Sequence, residues 1–467
     1  MNVHAVPAAI SSEAVSEGES RWSSSFGFLV AQLAAAIGLG SLWRFPYVAG
    51  ANGGGAFVLL YLLFVATLCI PIMLAEMAIG RAGGGSVVRS VALVIERERL
   101  RGGWSAIGWV SLFIPFIGLS YYSVVASWCL DYTWQAITTG FNGWDGPAAS
   151  GMFTSLTGNA ASQVVLQFAF IGAAVWVVSR GIQDGIERIS RIKMAALAIT
   201  LVIIVAFNAI TFGLGPTAAF LFKPDFSQIT RQGVLTAFGQ AVFSTGIGGG
   251  VMMTFSAYMP RGMSLQKASV LVAGPVVLVA LMAGFAIFPA VLSFGLAPGE
   301  GPGLVFVTLP TAFNKMPGGH VIAILFFSLF SLSAFTCAVG LLEPTVRWLM
   351  ERTGGARTSV ATAVGLMTWL IGLPSILSFN VLRDFHPFGE MAVLGHKTVF
   401  ALIDALIGNV LLPVNAALIS AFMGWAVSRQ FASEATGLTG AMLGVWRVVV
   451  GIVAPLGILF VMISILF

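Results

Sequence analysis

Five ionisable residues, Arg44, Glu76, Asp131, Glu343 and Asp404, lie inside long apolar runs of this sequence. Charge is costly at membrane depth, and a charge kept there marks a ligand or ion site by default. Arg44 ends the stretch Ala34-Ala35-Ala36-Ile37-Gly38-Leu39-Gly40-Ser41-Leu42-Trp43-Arg44. Its Gly-x-Gly is a poor helix former, so a break in the helix is expected there. The carbonyls and amides freed by a break are tolerated in an apolar medium only where protein buries them or they line a wet cavity. Gly246-Ile247-Gly248-Gly249-Gly250, preceded by Ser244 and Thr245, repeats the pattern in the second half of the chain. The chemistry on offer is non-covalent. Carbonyl oxygens can hold a cation or an amine, and free amides can hold a carboxylate. Two glycine-interrupted apolar segments in matching positions of two halves point to the central site of a transporter. Glycine clusters also serve helix packing, but packing does not need the adjacent arginine.

Other residues suit the same chemistry. Tyr121-Tyr122 falls mid-way along an apolar run, where a tyrosine hydroxyl needs a partner such as a ligand carboxylate. Sodium, a hard cation, takes oxygen ligands by analogy with other hard ions, so Thr336 qualifies and Cys337 is a poor ligand. Glu76 is expected to accept hydrogen bonds from the amides of the second break. Arg44 and Asp404 share a depth near the outer side and are expected to pair there. Enzyme chemistry is not expected: there is no nucleophile–base or metal constellation, and the three cysteines and four histidines are dispersed. No organic cofactor is expected. Nor is a nucleic-acid partner, because the positive residues are scattered between apolar runs.

The elements that must position these residues are membrane helices. The 467 residues are 58% hydrophobic and 9% charged, against about 25% charge in soluble domains. Eleven apolar segments are long enough to span a bilayer: 26–50, 56–80, 107–136, 164–179, 192–212, 233–258, 270–294, 321–349, 360–377, 399–427 and 442–467. The predicted fold is all-α, a polytopic membrane protein with five-plus-five inverted repeats and an eleventh helix. Residues 1–22 read as a cytoplasmic tail, 23–212 as the first repeat, 213–427 as the second, and 428–467 as a loop and the last helix. An odd number of helices per repeat forces the repeats into opposite topology. With the N-terminus in the cytoplasm, seventeen Lys and Arg, Lys193 among them, fall on the inner side and five on the outer side. Positive residues favour the inner side, so the C-terminus is expected outside a plasma (inner) membrane. Leu304–Asn314 is too short to span and reads as an outer helix, and Val87–Arg101 as an amphipathic inner one.

Gly-Leu-Gly-Ser-Leu-Trp-Arg-Phe-Pro-Tyr at 38–47, Asn52-Gly-Gly-Gly-Ala-Phe57, Glu76-Met-Ala-Ile-Gly-Arg81, Tyr121-Tyr122 and Leu373-Pro-Ser-Ile-Leu-Ser378 resemble the neurotransmitter:sodium symporter family, in its bacterial eleven-span branch. The resemblance implies alternating access, driven by sodium, around a central amino-acid site. It implies that backbone near Ala36, Phe243, Ser244 and Gly246 meets the amine, and that Tyr122 and the amides near Leu39 and Gly40 meet the carboxylate. Gly38 stands where amine carriers have an aspartate, which favours an amino acid. Gly118, Phe243, Gly249, Cys337 and Leu341 are implied to line the side-chain pocket, and two glycines there suggest a roomy one. A second sodium site is implied at Ala34, Ile37, Ser333, Thr336 and Cys337. An outer gate is implied at Arg44 and Asp404, and an inner one at Trp22 and Glu351.

The departures concern coupling. The first sodium site would use Ala36, Ser41 and Ser244, but Ser41 replaces an asparagine and Val276 removes another. Ala280 stands where the family places a chloride-binding serine or a carboxylate, while Tyr61, Gln240 and Ser244 keep the rest of that anion site. The expectation is therefore a sodium-coupled importer of an amino acid or similar solute that uses mainly the second sodium site and no chloride. A proton carried by Glu343, or a solute sensor on a transporter scaffold, are the alternatives. Composition leaves the solute and the oligomeric state open.

Overall fold

The computed structural model describes residues 21–227, 229–260, 262–296, 303–389 and 395–466. The tail expected over the first twenty residues lies outside them. Among the described residues the chain is helical, with one isolated bridge between Gly54 and Pro224. Among the described residues nine helices are long and apolar enough to cross a membrane: Gly55–Gly83, Gly102–Thr138, Ala160–Ser179, Ile182–Thr211, Leu265–Ser293, Gly319–Thr353, Arg357–Leu377, Val399–Ala426 and Gly440–Ser464. A tenth candidate is the pair Ser25–Ala36 and Gly40–Ala51, bent by 55° at the expected first break. Arg231–Thr245 and Val251–Ala257 flank the second break. In chain order these make eleven segments, called here the first to the eleventh span.

Local chemistry sets where several of the helices begin. Ser24, Thr230 and Ser264 each accept a hydrogen bond from the amide three residues on, at 3.0, 3.0 and 3.3 Å. Such caps satisfy amides that the helix itself leaves free. The third and eighth spans pack along each other. Buried polar side chains join neighbouring spans: Trp128 Nε1 donates to Gln163 Oε1 at 2.9 Å, and Gln167 Nε2 donates to the Ser120 carbonyl at 3.0 Å. The outer surface carries large apolar side chains such as Phe26, Trp134, Val165, Ile210 and Leu456, all well exposed. In a bilayer these face lipid.

Two loop expectations are refined. Leu304–Lys315 is helical, as expected of the short outer segment. Between the third and fourth spans lies a further helix, Gly146–Gly158, capped by the Asp145 carboxylate, which accepts from the Ala148 amide at 2.9 Å. Val87–Arg97 forms the inner helix, with Val87, Ser90, Val91 and Val94 buried.

Candidate functional site

The second break is held by side chains from two other spans. Gly246, Gly248 and Gly250 have φ of 66°, 78° and 75°, left-handed conformations that glycine adopts without the Cβ penalty. The turn frees the amides of Gly248 and Gly250, which donate to the two oxygens of fully buried Glu76 at 2.9 and 3.0 Å. Asn415 Nδ2 donates to the Gly248 carbonyl at 2.6 Å and to Ser111 Oγ at 2.8 Å. The role expected for Glu76 is the one it plays. Asn415 is a partner that sequence reasoning missed.

Between the two breaks lies a cavity of about 110 Å³. Of the twelve residues expected around a solute, eleven line it: Ala36, Gly38, Leu39, Gly40, Gly118, Tyr122, Phe243, Gly246, Gly249, Cys337 and Leu341. Ser244 differs. Its hydroxyl turns away to lie 3.0 Å from the Tyr61 hydroxyl, in the polar cluster behind the break. A Cβ at Gly38 would lie 2.9 Å from Cys337 Sγ and 3.1 Å from the Tyr122 hydroxyl. The absence of a side chain there keeps the break close to Tyr122. Gly118 has open space: a Cβ would meet only Ile407 Cγ2, at 4.0 Å. The roominess expected from Gly118 and Gly249 is offset, because Ile114, Met252, Ile407 and Leu412 also line the cavity. These apolar residues carried no distinguishing signal among many like them.

A second cavity, about 140 Å³, shares Leu39, Tyr121, Tyr122 and Phe243 with the first and adds Trp43, Arg44, Tyr47, Phe400 and Asp404. Arg44 lies over the Phe243 ring, 4.4 Å from its centroid. Arg44 and Asp404 face this common vestibule, and no salt bridge joins them among the described residues.

The opposite side is packed shut. Buried Trp22 donates to the Phe255 carbonyl at 2.9 Å, and its ring lies against Phe28, Phe255 and Tyr258. Arg347 stacks on Tyr258 and donates to Glu351 at 2.9 Å, and Glu351 also accepts from the Ser86 amide at 2.8 Å. Glu343 accepts from the Tyr258 hydroxyl at 3.1 Å and pairs with Arg357. These contacts hold Glu343 on the packed side, and it does not line the cavity between the breaks.

The oxygens expected at the second sodium site do come together, with an addition. Thr336 Oγ1 lies 3.3 Å from the carbonyls of both Ala34 and Ser333 and 3.2 Å from that of Leu332, so its single hydrogen has three carbonyl acceptors within reach. Lys193 Nζ donates to the Ala34 carbonyl at 3.0 Å and also to the Ile37 carbonyl. Lys193 had been placed with the inner surface charges, whereas its side chain is fully buried in the fifth span. The signal was legible: the apolar run begins at Ile192, so Lys193 already lay within it. At the first sodium position, Ser41 Oγ is buried with no hydrogen-bond partner among the described residues. Val276 and Ala280 are buried and bring no side-chain oxygen.

Comparison with known proteins gives a consistent picture. A sequence model of the Sodium:neurotransmitter symporter family matches residues 19–151 and 151–466. The chain is 34% identical over 450 residues to the uncharacterized sodium-dependent transporter YhdH of Bacillus subtilis (strain 168), covering 96% of this chain and 97% of that one. It is 30% identical to an uncharacterized sodium-dependent transporter of Haemophilus influenzae, covering 96% of this chain and 98% of that one. The crystal structure of MhsT in complex with L-phenylalanine superposes with a TM-score of 0.86 at 35% identity, covering 96% of this chain and 100% of that one.

Proposed function

Because this chain belongs to the sodium:neurotransmitter symporter family, we propose that it imports an amino acid or amino-acid-like solute by alternating access, driven by sodium and without chloride. The observation that carries this reading is the cavity between two broken helices, with Tyr122 on one wall and residues of both breaks on the other. A zwitterion suits it: carbonyls at the breaks take the amine, and amides near Leu39 and Gly40 with the Tyr122 hydroxyl take the carboxylate. The similar MhsT was crystallised with L-phenylalanine, which supports an amino acid as the class of solute. The similarly sized relatives are described as sodium-dependent, which supports sodium as the driving ion.

In this reading residues 23–212 and 213–427 are the inverted repeats, and the N-terminus is cytoplasmic with the C-terminus outside. The cytoplasmic side is the packed one around Trp22 and Glu351, and the vestibule of Arg44 and Asp404 opens outward. The sequence pointed mainly to the second sodium position; because Lys193 donates to the Ala34 and Ile37 carbonyls there, the coupling sodium is assigned instead to the first position, beside Ala36, Ser41 and Ser244, where the Ser41 hydroxyl is buried without a partner among the described residues. The solute's own carboxylate completes that site and balances its charge, so no chloride is needed. The test is uptake of radiolabelled amino acids into proteoliposomes. An inward sodium gradient should drive accumulation that persists when chloride is replaced by gluconate. Binding without accumulation would replace this reading with that of a solute sensor.

A further inference from the structure

We propose that the amine of Lys193 is a resident cation occupying the place of the second sodium ion, so that this position binds no sodium in the native chain. The proposal deepens the reading above, since it takes Ala34, Ile37, Ser333 and Thr336 as the second cation position. The carbonyls of Ala34 and Ile37 lie where the half-helix Ser25–Ala36 ends, and both accept from Lys193 Nζ. The end of a helix carries partial negative charge, which favours a cation. A lysine amine brings three donors and no acceptor, so it suits a cluster of carbonyls as a sodium ion would.

The side chain is completely buried. A buried charge persists only where it is paired or hydrogen-bonded, and Lys193 donates to two carbonyls of the first span. The nearest carboxylate on its own helix, Glu187, is engaged by Ser23 and Arg191 at 2.5 Å each. Lys193 is therefore directed at the break and not at an ion pair on the inner surface. Thr336 Oγ1 spends its hydrogen on carbonyls at 3.2 and 3.3 Å. A sodium ion entering here would compete for the same oxygens and would stand beside a like charge. The lysine differs from sodium in being tethered to the fifth span, so this cation is not carried across the membrane. The coupling stoichiometry is then one sodium per solute, from the first position alone.

The test counts radioactive sodium bound to the purified full-length chain without solute, a condition that leaves the first position incomplete. Thr336→Val should leave sodium binding by the native chain unchanged. Lys193→Ala should bind one further sodium per chain, and the double variant Lys193→Ala/Thr336→Val should lose it again. Should Lys193→Ala prove unstable, the same result is read as a sodium-dependent rise in its melting temperature that the native chain does not show. Loss of sodium from the native chain on Thr336→Val would overturn the proposal. So would a folded Lys193→Ala that binds no more sodium than the native chain. No solute is present, so a chain that fails to accumulate amino acids would defeat the transport reading and leave this count standing.

Discussion

Glu76 answers two amides with two oxygens, and that arithmetic makes it sensitive to small changes. Glu76→Gln keeps the shape but sets an NH2 donor against one of the Gly248 and Gly250 amides. Leaving one buried donor unmet costs about 1–3 kcal/mol, so a lower melting temperature and loss of solute binding are expected. Thermal unfolding in detergent checks the first and equilibrium binding the second. Gly118 tests the cavity from the other side. Gly118→Val enters open space near Ile407 and should weaken binding of large apolar or aromatic amino acids more than that of alanine. A competition series against one labelled amino acid reads the ranking, and an unchanged ranking would remove Gly118 from the wall.

At the scale of the element, the break in the sixth span depends on its glycines. Gly248 has φ of 78°, and a Cβ there would lie 2.6 Å from the Leu412 carbonyl. The left-handed conformation costs a residue with a Cβ about 1–2 kcal/mol, and the contact with backbone adds to that. Gly248→Ala should therefore abolish uptake and lower stability. Gly239→Ala, in the same span with nothing within 4 Å of its Cβ, should leave both unchanged. Equal damage from the two variants would show that the break has no special geometry. The half-helices also explain how a buried lysine amine finds hydrogen-bond partners. Ending the first half at Ala36 frees carbonyls that Lys193 can reach.

For the whole molecule, the balance between the two sides of the cavity is the functional quantity. The side opposite the vestibule is closed by Arg357 on Glu343, with Tyr258 and Trp22 packed beside them. Removing one partner of a buried pair costs about 3–5 kcal/mol. Arg357→Ala should shift the population toward an inward-open state. Labelling of a cysteine introduced on the cytoplasmic side of the first span should then speed up, with uptake reduced. The vestibule side carries Arg44 and Asp404, which face a common cavity with no salt bridge between them among the described residues. If closure brings them together, Arg44→Ala should nearly abolish uptake while solute binding to the outward-facing state survives. Wild-type uptake in that variant would remove the pair from the cycle. The sodium dependence of uptake should give a Hill coefficient near one, insensitive to chloride.

How much was legible varies by kind of interaction. The spans, the two breaks and eleven of the twelve cavity residues could be read from sequence. Hydropathy and glycine clusters are local signals, and the resemblance aligned the rest. Glu76 was legible too, because a carboxylate at the depth of a glycine-rich break has few other uses. Lys193 shows the limit. Its residue type and its place in an apolar run were visible, but the direction of its side chain depends on how the fifth span packs against the first. Only the tertiary structure brings Nζ to the Ala34 and Ile37 carbonyls, 159 and 156 residues away in the chain. The same holds for Asn415 on Gly248 and for the turn of Ser244 toward Tyr61. Periodicity and composition determine which residues are buried. The contacts between distant helices decide which buried polar groups meet, and here they bring the Lys193 amine to the carbonyls at the end of the first half-helix.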